Sequence, residues 1–119
     1  MSSLYDSTRK FQVWEYTVGH KQLLLRSTKD RELDTRIDLF FKDVGAIVLP
    51  TTLNGVSIRQ AVDREDVELR KKYEAEAFNG RTAYLIWNRN IEGCVIAATF
   101  AWHEDRGEYD DPSFFRLRP

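Results

Sequence analysis

The side chains best suited to chemistry are concentrated near the end of the chain, around Gly107. This acidic loop contains one imidazole and five carboxyl groups: His103, Glu104, Asp105, Glu108, Asp110 and Asp111. Carboxylates and an imidazole can together hold a divalent cation, but their spacing here matches neither the EF-hand loop nor a zinc motif. Charged runs are commonly solvated. We therefore expect an exposed candidate binding loop, with no bound metal and no cofactor.

A second candidate site is a groove beside the first strands. Glu15 and Arg26 are predicted to share the less apolar face of a hairpin, where Phe11, Val13 and Leu24 can supply an apolar lining. A ligand pocket needs a few convergent polar groups in an apolar wall. The alternative is an ordinary mixed outer face, because exposed apolar residues are common on protein surfaces.

The C-terminal tail is the third candidate, because it carries Phe114, Phe115 and Leu117 where an undocked tail is normally polar. Either these side chains pack back across the sheet, or they form a hydrophobic handle for a partner protein or a second copy of the chain. We expect the first arrangement, since burial of a large apolar side chain is worth roughly 1.5–3 kcal/mol.

Composition argues against several classes of partner. The 119 residues carry a formal net charge of −1, which provides no global field for a nucleic acid or an anionic membrane. Trp14, Trp87 and Trp102 have no accompanying basic groove, so we expect core packing rather than base stacking. No apolar run approaches the ~20 residues of a spanning helix. A single cysteine, Cys94, fits a reducing compartment, which predicts a cytoplasmic protein.

A hairpin at the start of the chain should position the candidate groove. Residues 11–18 and 21–28 flank Gly19, and a glycine at the first central position is what a two-residue type II′ turn requires. The register of the two strands then follows from the turn. It places four side chains on one buried face: Trp14, Tyr16, Leu23 and Leu25.

Further strands and one helix follow. Alternating apolar residues indicate strands, the Asn54-Gly55 pair is typical of a type I′ turn, and a stretch rich in Glu, Lys and Arg predicts a helix. The predicted elements are strands at 36–42 and 46–49, two short strands around Asn54-Gly55, a helix at 63–78, and strands at 82–88 and 94–102.

These elements predict an α+β fold. We expect a bent antiparallel sheet of six or seven strands in meander order, closed as a partly open barrel or roll, with one helix before the last two strands. The polar residues 1–10 should form a flexible N-terminal lead-in, and residues 11–119 a single domain that includes the C-terminal tail.

Four stretches carry a resemblance to other proteins: residues 16–27 (YTVGHKQLLLRS), 49–55 (LPTTLNG), 102–105 (WHED) and 108–112 (EYDDP). The chain resembles small bacterial proteins to which no function is assigned. The resemblance implies no activity, cofactor or catalytic residue. It implies that residues 103–112 act as a unit.

For the function, we expect a non-enzymatic module that binds another protein or a ligand, as toxin-neutralising immunity proteins do. The alternative is a small metal-dependent or small-molecule enzyme that uses the loop from His103 to Asp111. An enzyme needs a concave pocket with perturbed titratable groups, whereas an interaction module needs a complementary patch or groove.

Overall fold

The computed structural model describes residues 3–117, which form six β-strands and two short helices. The antiparallel, sheet-rich character predicted from the sequence is confirmed. The elements are β1 (Tyr5–Thr17), β2 (Gln22–Ser27), β3 (Arg36–Val48), β4 (Thr52–Gln60), α1 (Arg64–Lys72), α2 (Ala75–Phe78), β5 (Thr82–Trp87) and β6 (Glu92–Asp105).

The six strands close into a barrel in the order β1-β2-β3-β6-β5-β4. This order corrects the predicted meander, because β3 pairs with β6 along most of its length and β4 returns to pair with β1. Closure depends on the length of β1, in which Gln12 pairs with Arg26 of β2 on one side and Thr52 of β4 on the other. The strand begins at Tyr5, so it includes half of the stretch expected to be a lead-in.

The barrel encloses one apolar core. Every strand contributes alternate side chains to it, as the pleat requires. The residues that lie in this core are Phe11, Leu23, Leu25, Ile37, Leu39, Phe41, Val44, Leu53, Val56, Ile58, Tyr84, Ile86, Val95 and Ala97.

Two predicted breaks instead lie inside long strands, each at a β-bulge. Gly45 is the extra residue of β3, between Val44 and Ala46, and the strand continues past it. Gly55, with a φ of +86°, lies in β4 opposite a bulge of β1, whose extra residue falls between Ser7 and Lys10. A bulge adds one residue to one strand and bends it. Local sequence signals for a turn and for a bulge are therefore the same here.

The first hairpin is real, but its turn differs from the prediction. Lys21 has a φ of 51°, a left-handed residue that a two-residue type II′ turn beginning at Gly19 does not contain.

The faces of the hairpin also differ from the prediction. Tyr16 pairs with Leu23 as predicted, whereas Val13, not Trp14, pairs with Leu25. Trp14 is the extra residue of a bulge, so Val13 takes the predicted place of Trp14 against the core. Trp14 is consequently half-buried on the outer surface. Tyr16, next to the turn, is 41% exposed.

The predicted long helix is two short helices separated at Tyr73, which has an extended backbone. The predicted stop at residues 79–80 is confirmed by the positive φ of Asn79 and Gly80. Phe78 packs with Ala83 and Ile96 on the outside of the barrel. Within residues 3–117, no helix combines the length and the apolar character needed to cross a membrane.

Candidate functional site

Charged side chains lie next to one another on the outer face of β2, β3 and β6. Arg26 pairs with Asp38 on the neighbouring strand, and Asp38 pairs in turn with His103. Arg36 and Asp105 form a second such row. Residues 106–117, which we call the C-terminal strap, cross this face and bury most of it.

The central ion pair under the strap joins Arg26 and Asp38. Nε and Nη2 of Arg26 donate to the two carboxylate oxygens at 2.7 and 3.1 Å. The side chains are 2% and 1% exposed, respectively. The hydroxyl of Ser113, in the strap, donates to Asp38 Oδ2 at 2.7 Å. The strap is therefore hydrogen-bonded to a buried carboxylate.

A second ion pair joins Arg36 and Asp105 at the start of the strap. Nε and Nη2 of Arg36 each donate to one carboxylate oxygen at 3.1 Å. Burial of Asp105 opposes its ionisation and by itself raises its pKa. Hydrogen bonds from Arg36 and from the Gly107 N–H, together with the positive charge of Arg36, outweigh burial, so the pKa of Asp105 is lowered. A Cβ at Gly107 would lie 2.6 Å from the Arg36 guanidinium, so the close approach requires glycine.

Both guanidinium groups also hold the backbone of the strap. Arg26 Nη1 donates to the carbonyl oxygens of Tyr109 and Asp111 at 2.8 and 3.1 Å. Arg36 donates to the carbonyls of Glu108, Asp111 and Pro112 at 2.7 to 3.2 Å. Hydrogen bonds to charged groups are about twice as strong as neutral ones. These contacts fix the course of the strap over the sheet.

Aromatic contacts complete the attachment. The ring of Phe115 stacks on Phe40 with centroids 4.8 Å apart, which confirms that the tail packs back on the sheet. Phe114 stacks on the imidazole of His103 at 3.9 Å, yet it remains 60% exposed. The tail is thus both a cover for the barrel and a source of exposed apolar surface.

A groove of about 340 Å³ lies between the first hairpin and the strap, and we call it the strap groove. Its lining includes Trp14, Glu15, Leu24, Asp110, Arg116 and Leu117. The Arg26 guanidinium lies 5.3 Å from the Trp14 ring centroid, and the edge of Tyr109 meets the same ring at 6.5 Å. The Glu15–Arg26 groove and the tail, two of the three sites predicted from the sequence, therefore meet at one place. The end of the acidic loop, the third predicted site, lies there too.

The residues of the predicted binding loop do not converge on a common point. Glu104 is exposed near the end of β6, where its carboxylate accepts a hydrogen bond from Thr35 at 2.6 Å. Glu108 pairs with Lys29 at 2.7 Å. Only Asp110 and Asp111 reach the strap groove. Over residues 3–117, no three His, Cys, Asp or Glu side chains are grouped so that they could hold a metal ion.

Sequence reasoning missed several residues of this site. Trp14 was predicted to lie in the core, and Tyr109 was not singled out. Asp38 was recognised only as a polar residue of an alternating strand, although its register opposite Arg26 makes it the centre of the ion-pair network. The available signal was an acidic and a basic residue at matching positions of neighbouring strands.

The fold and the site define a closed six-stranded antiparallel barrel in which a C-terminal strap covers an ion pair on the outer face of β2 and β3. Comparison with models of protein families, with curated proteins and with solved structures finds no match to this chain.

Proposed function

We propose that this protein is an interaction module that binds a basic segment of another protein in the strap groove. The charge of the groove carries the proposal. Glu15 and Asp110 line it, and neither forms an ion pair within residues 3–117. Asp111 adds a third carboxylate, whereas Arg116 is the one lining cation not paired with a carboxylate among the described residues. The groove therefore has an excess of negative charge.

Aromatic and apolar groups beside these carboxylates support a peptide as the ligand. Trp14 lines the groove, and Tyr109, which is 59% exposed, lies against it. Arginine and lysine side chains are attracted to aromatic faces, while carboxylates steer and orient them. Leu117, which is only partly buried, offers apolar contact to the aliphatic part of such side chains. An extended segment carrying arginine or lysine matches this combination.

A toxin-neutralising immunity protein is one kind of module with this size and mode of action. Binding of nucleic acid is disfavoured, because phosphates would meet the unpaired carboxylates of the groove. A second copy of the chain is the alternative partner, with the exposed Phe114 as its contact.

The test is a titration with a short peptide of alternating glycine and arginine, followed by NMR of the backbone amides. We expect chemical-shift changes confined to β1, β2 and the strap, and binding that weakens as salt is added. The same peptide with neutral citrulline in place of arginine is the control. Equal binding of the two peptides would refute the proposal, since the charge would then have no role.

A charge-matched pair of variants tests the site itself. Replacing Glu15→Gln and Asp110→Asn together should weaken arginine-peptide binding on the order of fivefold, because each exposed charge contact is worth about 0.2–1 kcal/mol. The control replaces Glu74→Gln and Glu76→Gln, two exposed carboxylates outside the groove. Both doubles remove two negative charges, so a general charge effect would weaken binding equally in both.

The enzyme alternative makes a different prediction for the acidic loop. A metal-dependent reaction there requires a bound cation, so titration calorimetry with zinc, calcium, magnesium and manganese separates the two functions. We expect no binding tighter than about millimolar, the weak end for flexible calcium modules. Micromolar binding that is lost in His103→Ala and Asp105→Ala would favour the enzyme.

A further inference from the structure

A second surface, remote from the strap groove, lies beneath helix α1. No residue of α1 is fully buried, and the helix stands away from the outer face of β5 and β6. The space between them is about 570 Å³ and continues into a further 290 Å³ that shares Leu69, Lys72 and Leu85 with it. We call this combined space the α1 cleft. Its size lies within the ~300–1,000 Å³ of small-molecule pockets.

Two walls of the α1 cleft carry apolar side chains, although half of its twelve lining residues are charged. Leu85 and Cys94 form the sheet side and are 8% and 3% exposed. Leu69 and Tyr73 form the helix side, and both are only partly buried. A slot with apolar walls on two sides suits an aliphatic chain, because each CH₂ transferred from water adds a favourable increment.

Cations lie at the rim, and two of them have no ion-pair partner among the described residues. Lys71 pairs with Glu68 at 3.6 Å. Glu65, which also lines the cleft, pairs at 2.5 Å with Arg59, a residue outside the lining. Arg64 and Lys72 form no such pair.

Lys72 is the better placed of the two unpaired cations. Its ammonium lies 5.7 Å from the centroid of the Tyr73 ring, and its side chain lines both parts of the cleft. Glu92, whose carboxylate is in none of these ion pairs, also lines both parts of the cleft. The unpaired charge there is therefore net positive.

We propose that the α1 cleft binds a free single-chain amphiphile with an anionic head group, such as a medium-chain carboxylate. The aliphatic chain lies between Leu69 and Leu85, and the carboxylate lies against Lys72. Charge complementarity selects this occupant, because a cationic head group would meet Lys72 and Arg64 at the rim. This proposal does not rest on the strap groove, which lies on other strands.

The experiment compares three probes of equal chain length, namely decanoate, decanol and decyltrimethylammonium. The two ionic probes are used below their micelle concentrations and decanol below its solubility limit. Binding is followed by NMR of the amides of α1, β5 and β6. We expect decanoate to bind most tightly and decyltrimethylammonium least tightly. Equal affinity for the two charged probes would overturn the proposal. A protein that binds phospholipid vesicles but does not bind free decanoate would overturn it as well.

Variants on the helix surface test the head-group contact. Lys72→Gln should weaken decanoate binding by about two- to fivefold and leave decanol binding unchanged, since only the charge contact is lost. Lys42→Gln removes an exposed cation outside the cleft and should change neither affinity. An equal loss in both variants would mean that net charge alone attracts decanoate, which would refute the site.

The single cysteine provides an independent reporter of the occupied cleft. Cys94 is the only thiol in the chain, and burial raises its pKa, so it should react slowly with iodoacetamide. Decanoate bound between Leu69 and Leu85 should slow the reaction further. A modification rate that decanoate leaves unchanged at saturating concentration would contradict the proposed position of the chain.

Discussion

Asp38 is the residue on which the attachment of the strap depends most directly. Its carboxylate accepts hydrogen bonds from Arg26 and from Ser113, and almost none of it is exposed. Removing a buried charge from water is costly, and only a complete set of partners compensates that cost. Asp38 therefore keeps Arg26 in position, and Arg26 in turn holds two carbonyl groups of the strap.

We predict that Asp38→Ala lowers the free energy of unfolding by about 3–5 kcal/mol, because Arg26 would remain as an unpaired buried charge. Urea denaturation measures the effect. The control is Asp66→Ala, which removes an ion pair with Arg70 on the exposed surface of α1 and should cost below about 1 kcal/mol. Equal small losses in the two variants would mean that the strap network contributes little to stability.

At the scale of elements, the sequence predicted strands more reliably than faces. The strand at 82–88, the helix end at residues 79–80 and the Tyr16–Leu23 pair were predicted from local patterns and are present. The errors occur at bulges, of which the examples are the bulge at Trp14 and the β1 bulge opposite Gly55. A bulge depends on which strand lies opposite, and that partner is far away in the sequence, so no local pattern reports it.

A polar anchor holds the start of helix α1. The Arg59 guanidinium donates to both carboxylate oxygens of Glu65 at 2.7 and 2.5 Å, and the Val62 N–H donates to the same carboxylate at 3.3 Å. These hydrogen bonds, that from Arg59 above all, lower the pKa of Glu65 from 4.5 to about 2. Elsewhere the helix has no fully buried side chain, so this contact helps to set its position over the cleft.

The anchor should fail in acid. A carboxyl group whose pKa is lower in the folded state stabilises that state above its ordinary pKa and loses the effect as pH falls through the folded value. We therefore predict that the contribution of Glu65 to the stability of α1 is complete above pH 4.5 and disappears toward pH 2.

Hydrogen exchange of the α1 amides measures this contribution. Glu65→Gln should exchange faster than the unaltered protein at pH 5, and the two should become equal near pH 2. A difference independent of pH would exclude this titration as the cause.

At the scale of the whole molecule, the barrel is closed by the first half of β1. Tyr5 pairs with Ile58 of β4, and Arg9 lies across the end of the barrel. The Arg9 guanidinium donates to the hydroxyls of Ser27 and Thr35 at 3.0 and 2.8 Å, which joins β1 to the ends of β2 and β3. These contacts link residues that are far apart in the chain. The local composition of residues 1–10 does not report such contacts, and on composition alone a flexible lead-in was predicted here.

We predict that removal of residues 1–10 abolishes cooperative unfolding. The deletion takes away the partner of β4, exposing Val56 and Ile58 of the core, and it leaves the polar groups that Arg9 satisfies without a donor. Near-ultraviolet circular dichroism during heating measures the transition. Removal of residues 1–3 leaves β1 intact and should preserve it. The longer deletion would contradict this prediction if it still melted cooperatively within a few degrees of the full chain. The barrel would then not need the first half of β1, and residues 1–10 would act as the flexible lead-in that their composition predicts.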